Sequence, residues 1–153
     1  MNLWIQTARK DLLKVIRSVD LLTLNDGEAR LLTGKWNLCD CAAAILRMGP
    51  TYVAIKKGEH GSMLFYGKEI FIVPSYPVRR LADPTGAGDT FAGGLIGTLA
   101  ALGDVTRENL HTALVNATVA AAYTCEAFSV DRLRHATRAE LEARARAFRR
   151  MLP

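Results

Sequence analysis

The chain has 153 residues, half of them hydrophobic and 23% charged, with a formal net charge of +5. That balance excludes a disordered chain, and no apolar stretch reaches bilayer-spanning length, so neither a membrane segment nor a membrane partner is expected. Met1 to Ile5 lacks the basic start and long apolar run of a secretory signal. Cys39, Cys41 and Cys125 show no disulfide or metal-ligand spacing, and neither do His60, His111 and His135. The thiols read as those of a cytoplasmic protein.

Apolar residues recur at helical spacing from Thr7 to Val19, which predicts an amphipathic helix. Leu21 to Leu24 suits a short buried strand, and Asn25 stands where a helix over Asp26 to Leu32 needs a cap, with Gly34 as its stop. Leu38 to Met48 reads as helix, Tyr52 to Ile55 as strand, and Lys57 to Gly61 as a loop. Met63 to Tyr66 and Glu69 to Val73 form a predicted hairpin around Gly67-Lys68. Pro74 and Pro77 break the pattern. Helices follow over Asp89 to Leu102, Arg107 to Thr124 and Thr137 to Met151, the last with Thr137 and Glu140 spaced as a capping box. Alternating strands and helices predict an α/β layered fold with a mainly parallel sheet flanked by helices, in one domain.

The basic excess lies towards the end, in Arg132, Arg134, Arg138, Arg144, Arg146, Arg149 and Arg150. Glu140 and Glu142 interrupt it and no aromatic platform accompanies it, so a solvated helix face is expected and not a nucleic-acid site.

The chemistry concentrates in Asp83-Pro84-Thr85-Gly86-Ala87-Gly88-Asp89-Thr90-Phe91. A Gly-Ala-Gly turn entering a helix presents backbone N–H groups and the positive dipole end to an anion. Small side chains let a phosphate approach the backbone. A carboxylate at Asp89, beside such a site, can accept a proton from an attacking hydroxyl. Taken by themselves, Gly86 to Asp89 read more readily as an ordinary turn and helix cap than as a phosphate site. No P-loop pattern is present, and Phe91 stands where a dinucleotide fingerprint needs its third glycine.

The complete run, continued by Ala92-Gly93-Gly94, resembles the C-terminal signature of the ribokinase-like (PfkB) carbohydrate kinases. The resemblance implies that Gly86, Ala87 and Gly88 form the anion hole and that Asp89 is the catalytic base. Asp83 and Thr85 would help to hold the loop, or a monovalent cation as in some relatives. Asn25-Asp26-Gly27-Glu28 is similar to the family's Asn-x-x-Glu element, which implies that Asn25 and Glu28 organise magnesium and phosphates through water. Lys56 to Gly61 is similar to the strand-end loop that approaches the nucleotide phosphates, which brings in Lys57, Gly58 and Gly61. Asn116 falls in the region that borders the adenine.

The resemblance implies ATP and Mg²⁺ as cofactors and a sugar or nucleoside hydroxyl as acceptor. It spans nearly the whole chain, residues 1–153, yet only the C-terminal nucleotide-binding and catalytic part of the family's fold; the lid and the residues that grip the sugar have no counterpart. Met1 to Ile5 is expected to be the end of a central strand and its loop, so that the chain starts mid-fold. A strand left with an unpaired edge and an uncovered apolar face would favour a homo-oligomer. Three functions compete: a phosphotransferase in truncated form, a non-catalytic nucleotide-binding or assembly fragment, and a basic nucleic-acid-binding module.

Overall fold

The computed structural model describes residues 1–152. The chain divides into two compact units, Met1–Ile72 and Val73–Pro153.

The first unit opens with two helices, α1 (Asn2–Thr7) and α2 (Arg9–Arg17). Strand β1 (Leu21–Asn25) leads directly into α3 (Asp26–Thr33); α4 (Leu38–Leu46) and β2 (Tyr52–Lys56) follow. A single 3₁₀ turn at Gly58–His60 connects β2 to β3 (Ser62–Tyr66), and β4 (Glu69–Val73) completes a four-stranded sheet in the order β1-β2-β3-β4. β1 and β2 run parallel with Leu22 opposite Val53 and Leu24 opposite Ile55, while β2 and β3 run antiparallel with Val53 opposite Phe65. Those side chains share one face and form the core with Ile16 of α2, Ala29 and Leu32 of α3, and Cys41, Ala42 and Ile45 of α4.

The α/β class and the flanking helices are as the sequence predicts. The described sheet is mixed, with β1/β2 as its parallel pair, because the link from β2 to β3 is too short for the crossover that a parallel neighbour requires. Met1 to Ile5 corrects the expectation of a strand end: the segment is helical. The Met1 carbonyl accepts from the Trp4 and Ile5 N–H groups, and Ile5 is buried in the core beside Ile16. The predicted helix from Thr7 is interrupted at Ala8, whose φ of −136° and ψ of 38° break the α-helical path. The Arg9 guanidinium just beyond it donates to the Leu32 carbonyl at 2.6 Å. β1 stands at one end of the strand order, with β2 as its neighbour, and Leu3, Trp4 and Val15 of the first two helices are exposed.

The second unit is helical: α5 (Ala87–Leu102), α6 (Arg107–Cys125), the short α7 (Asp131–His135) and α8 (Arg138–Arg149). Sequence reasoning missed α7. α5 and α6 pack antiparallel, since Thr90 meets Thr124 near one end and Thr98 meets Asn116 farther along. Closeness is set by Gly94: a Cβ there would lie 3.1 Å from both the Ala117 Cα and the Ala120 Cβ. α8 starts with the expected capping box, the Thr137 N–H donating to Glu140 at 2.8 Å and the Glu140 N–H to Thr137 Oγ1 at 3.2 Å. Among the described residues no helix is long and apolar enough to cross a membrane.

Candidate functional site

In the first unit the C-terminal ends of β1 and β2 lie side by side, with Asn25 opposite Lys56 in register. Asn25 ends β1 and caps α3. Its Oδ1 accepts the Glu28 N–H at 2.7 Å, and Glu28 Oε2 accepts the Asn25 N–H at 2.9 Å. This reciprocal pair fixes a nearly buried carboxylate at the strand end. The other oxygen of Glu28 lies 3.0 Å from the amino group of Met1. Lys57 starts the neighbouring loop, its N–H donating to the Gly61 carbonyl at 2.8 Å. Gly61 adopts φ 85° and ψ −146°, a conformation confined to glycine. Asn25, Glu28, Lys57, Gly58 and Gly61 therefore gather at one edge of the sheet, the edge where open α/β sheets take their ligands.

The second unit assembles the remaining candidates, apart from Asn116. Asp83 Oδ1 accepts the Thr85 N–H at 2.9 Å and turns the chain. That bond, with further donation from the Thr85 hydroxyl and the Ser129 N–H, holds the Asp83 carboxyl below its ordinary value of 3.8. The Ala87 N–H donates to the Pro84 carbonyl at 3.1 Å, closing the turn. Gly86 then takes φ 83°, a left-handed value that a side chain would strain, and serves as the N-cap of α5. Gly86 itself has no side chain with which to cap this helix. The 16 residues of α5 align their dipoles towards that end. Asp89 lies in the first turn and is exposed, so its carboxylate is available to a ligand placed at the helix start.

The set suits a phosphate: a glycine-led turn, a helix start and a nearby carboxylate. Among the described residues no three His, Cys, Asp or Glu side chains form a cage for a metal ion. A magnesium ion fits Asn25 and Glu28 only through water, because both are engaged in the capping box.

Asn116 stands apart from the turn. Its Nδ2 donates to Thr98 Oγ1 at 3.5 Å, about 13 Å along α5 from Asp89 at about 1.5 Å per residue. Sequence reasoning also missed residues that hold the turn. Thr124 is buried in α6 and its hydroxyl donates to Thr90 Oγ1 at 2.8 Å; the Ala82 N–H donates to the Cys125 carbonyl at 2.8 Å. Ser129 has φ 55°, unusual for a residue with a side chain. Thr124 could have been suspected as a hydroxyl within an Ala-rich helix; nothing local marks the Cys125 carbonyl or Ser129.

Residues 2–135 match the pattern of the pfkB family carbohydrate kinase group. Cytidine kinase of Thermococcus kodakarensis is 35% identical over 91 residues, which cover 58% of this chain and 32% of that protein. Among solved structures, a candidate ribokinase II of E. coli, crystallised with ATP and Mg²⁺, is 30% identical with a TM-score of 0.76. The match covers 91% of this chain and 43% of that one. Fructokinase of Vibrio cholerae, solved with fructose, ADP and calcium, has a TM-score of 0.82 at 24% identity, which speaks for the fold. This chain thus spans less than half the length of these relatives. With the family's pattern over most of its length and the ribokinase fold in its structure, the chain belongs to the pfkB family of carbohydrate kinases.

Proposed function

We propose that this chain is the nucleotide-binding and catalytic part of a kinase that transfers the γ-phosphoryl group of ATP to a hydroxyl of a sugar or nucleoside. One observation carries the reading: Asp89 is exposed in the first turn of α5, three residues after the left-handed Gly86 that opens the helix. Asp89 takes the proton from the acceptor hydroxyl, and the turn Gly86-Ala87-Gly88 with the positive end of α5 stabilises charge on the transferred group. Asn25 and Glu28 order the water around magnesium, and Lys57, Gly58 and Gly61 supply the loop beside the nucleotide phosphates. Magnesium, when bound, neutralises phosphate charge. Asp83 and Thr85 hold the turn and border a monovalent cation, and Asn116 borders the adenine. Free cysteines suit the cytoplasm, where these substrates reside. The single strand neighbour of β1 and the exposed Leu3, Trp4 and Val15 favour a homo-oligomer.

Asp89→Asn tests the base. Phosphotransfer should fall by at least about a hundredfold while ATP affinity stays near that of the parent. Equal turnover by the variant would remove Asp89 from the role.

A second reading, a nucleotide-binding or assembly fragment without turnover, draws support from the fraction of the relatives' length that is spanned. ATP binding with no transfer to any sugar or nucleoside would select it. A nucleic-acid role is weaker, since Arg132, Arg138 and Arg144 already face Glu140, Glu142 and Glu126.

A further inference from the structure

The last residues of α6 and its C-cap make an unusual set of outward connections. Four consecutive residues together hold α7, α8 and both sides of the turn before α5. The Tyr123 ring is covered by Arg144 of α8 at 3.8 Å and by Arg132 of α7 at 4.7 Å. Thr124 donates its hydroxyl to Thr90 at 2.8 Å. The Cys125 carbonyl accepts the Ala82 N–H at 2.8 Å. Glu126 takes a two-pronged bond from Arg144 at 2.7 and 3.1 Å. Ala82 precedes the phosphate turn and Thr90 follows Asp89, so the turn is tied down on both sides by neighbouring residues of one helix. The methyl of Thr124 also stands 3.8 Å from the position a Gly86 Cβ would take, against the turn itself.

We infer that residues 123–126 are the positioning element of the phosphate turn, with Thr124 setting the place of Gly86 to Asp89. The inference rests on the proposed phosphate role of that turn. Thr124 touches neither phosphate nor acceptor in this scheme; it acts through Thr90 and Gly86. The physical argument concerns the start of α5. Gly86, the N-cap of α5, has no side chain of its own to restrain the helix start. The Thr90 N–H and the Asp89 N–H both return to the Gly86 carbonyl, at 2.9 and 3.1 Å, so the first turn moves with Gly86 as one body. The Thr124 hydroxyl pins that body to α6. α6 is in turn fixed to α8 by Arg144, which burial opposes but the Glu126 carboxylate outweighs, so that the guanidinium stays charged. A donor group must be held within a fraction of an ångström to favour a transition state, and the hydroxyl pair supplies that restraint.

Thr124→Val removes the hydroxyl and keeps the shape. Thr90 is partly exposed, so water replaces the lost donor and global stability changes little. Two readouts apply to the full chain. Amide hydrogen exchange should quicken about two- to tenfold at Asp89 and Thr90 while the middle of α5 and of α6 stays protected, and Mg-ATP should bind more weakly by a similar factor. Thr124→Ser should restore both. Parent-like exchange at Asp89 and Thr90 in Thr124→Val would overturn the inference, as would a uniform loss of protection along both helices or failure of Thr124→Ser to restore them. Exchange decides the inference without a ligand. If the parent itself binds no Mg-ATP, the functional reading fails separately.

Discussion

The closeness of α5 and α6 sets the frame for the turn before α5, and three glycines of α5 test it against one another. Gly93, Gly94 and Gly97 all sit in the helix interior, where replacing glycine by alanine favours folding by about 0.5–1 kcal/mol. At Gly93 and Gly97 an added Cβ meets nothing within 4 Å, so that gain should appear in full. At Gly94 the added Cβ would meet the Ala117 Cα and the Ala120 Cβ, both at 3.1 Å, a few tenths of an ångström inside ordinary contact. One of those atoms is backbone in the buried middle of α6, so it cannot yield without moving the helix. Overpacking of this kind costs about 1–3 kcal/mol. Set against the backbone gain, Gly94→Ala should lose about 1–2 kcal/mol while Gly97→Ala gains up to about 1 kcal/mol. The two variants should therefore differ by about 2 kcal/mol, or about 5 °C in melting temperature for a chain of this size. Thermal and urea unfolding followed by circular dichroism measure both. If Gly94→Ala proved as stable as Gly97→Ala, the close approach of the two helices would be refuted.

Other outcomes follow from the same unit. Arg144→Met removes a half-buried guanidinium that bonds Glu126 twice and covers Tyr123 and Tyr76, and should cost about 2 kcal/mol by urea unfolding; a surface ion pair would cost less than about 1 kcal/mol. Acid should weaken the fold through Asp83 and Glu140. The Thr85 N–H holds the first carboxyl below its usual value and the Thr137 N–H the second. Depressed carboxyls stabilise the fold above their unfolded values and lose that contribution as pH falls through the folded ones. Melting temperature should thus drop from about pH 5 to about pH 3, and more for the parent than for the Asp83→Asn/Glu140→Gln double variant. Equal drops would show that these carboxyls are not the ones that matter.

Much of the fold was legible locally. Asn25 and Thr137, each followed three residues later by glutamate, marked two helix starts, and the structure forms both capping boxes. The hairpin around Gly67-Lys68 and the helix stop at Gly34 followed from turn chemistry. The failures have long-range causes. Ala8 is a strong helix former, yet the helix breaks there, between Ile5 in the core and Arg9 bound to the Leu32 carbonyl. Antiparallel pairing of β2 with β3 depended on how few residues join them, not on the strands' own composition. At the candidate site, Gly86 to Asp89 stood out only as part of the run from Asp83 to Phe91 that resembles the family's signature; alone they read as a turn and a helix cap. Thr124 and the Cys125 carbonyl did not, because their partners Thr90 and Ala82 lie far away in sequence and no local pattern records the contact.

The central claim is that the turn before α5 binds a phosphate. Calorimetric titration of the full chain with Mg-ATP tests it most directly, with Gly88→Asp, which crowds and charges the helix start, as the control. The account predicts saturable binding to the parent and none to the variant. A folded parent that takes up no Mg-ATP, or a variant that binds as well as the parent, would contradict it.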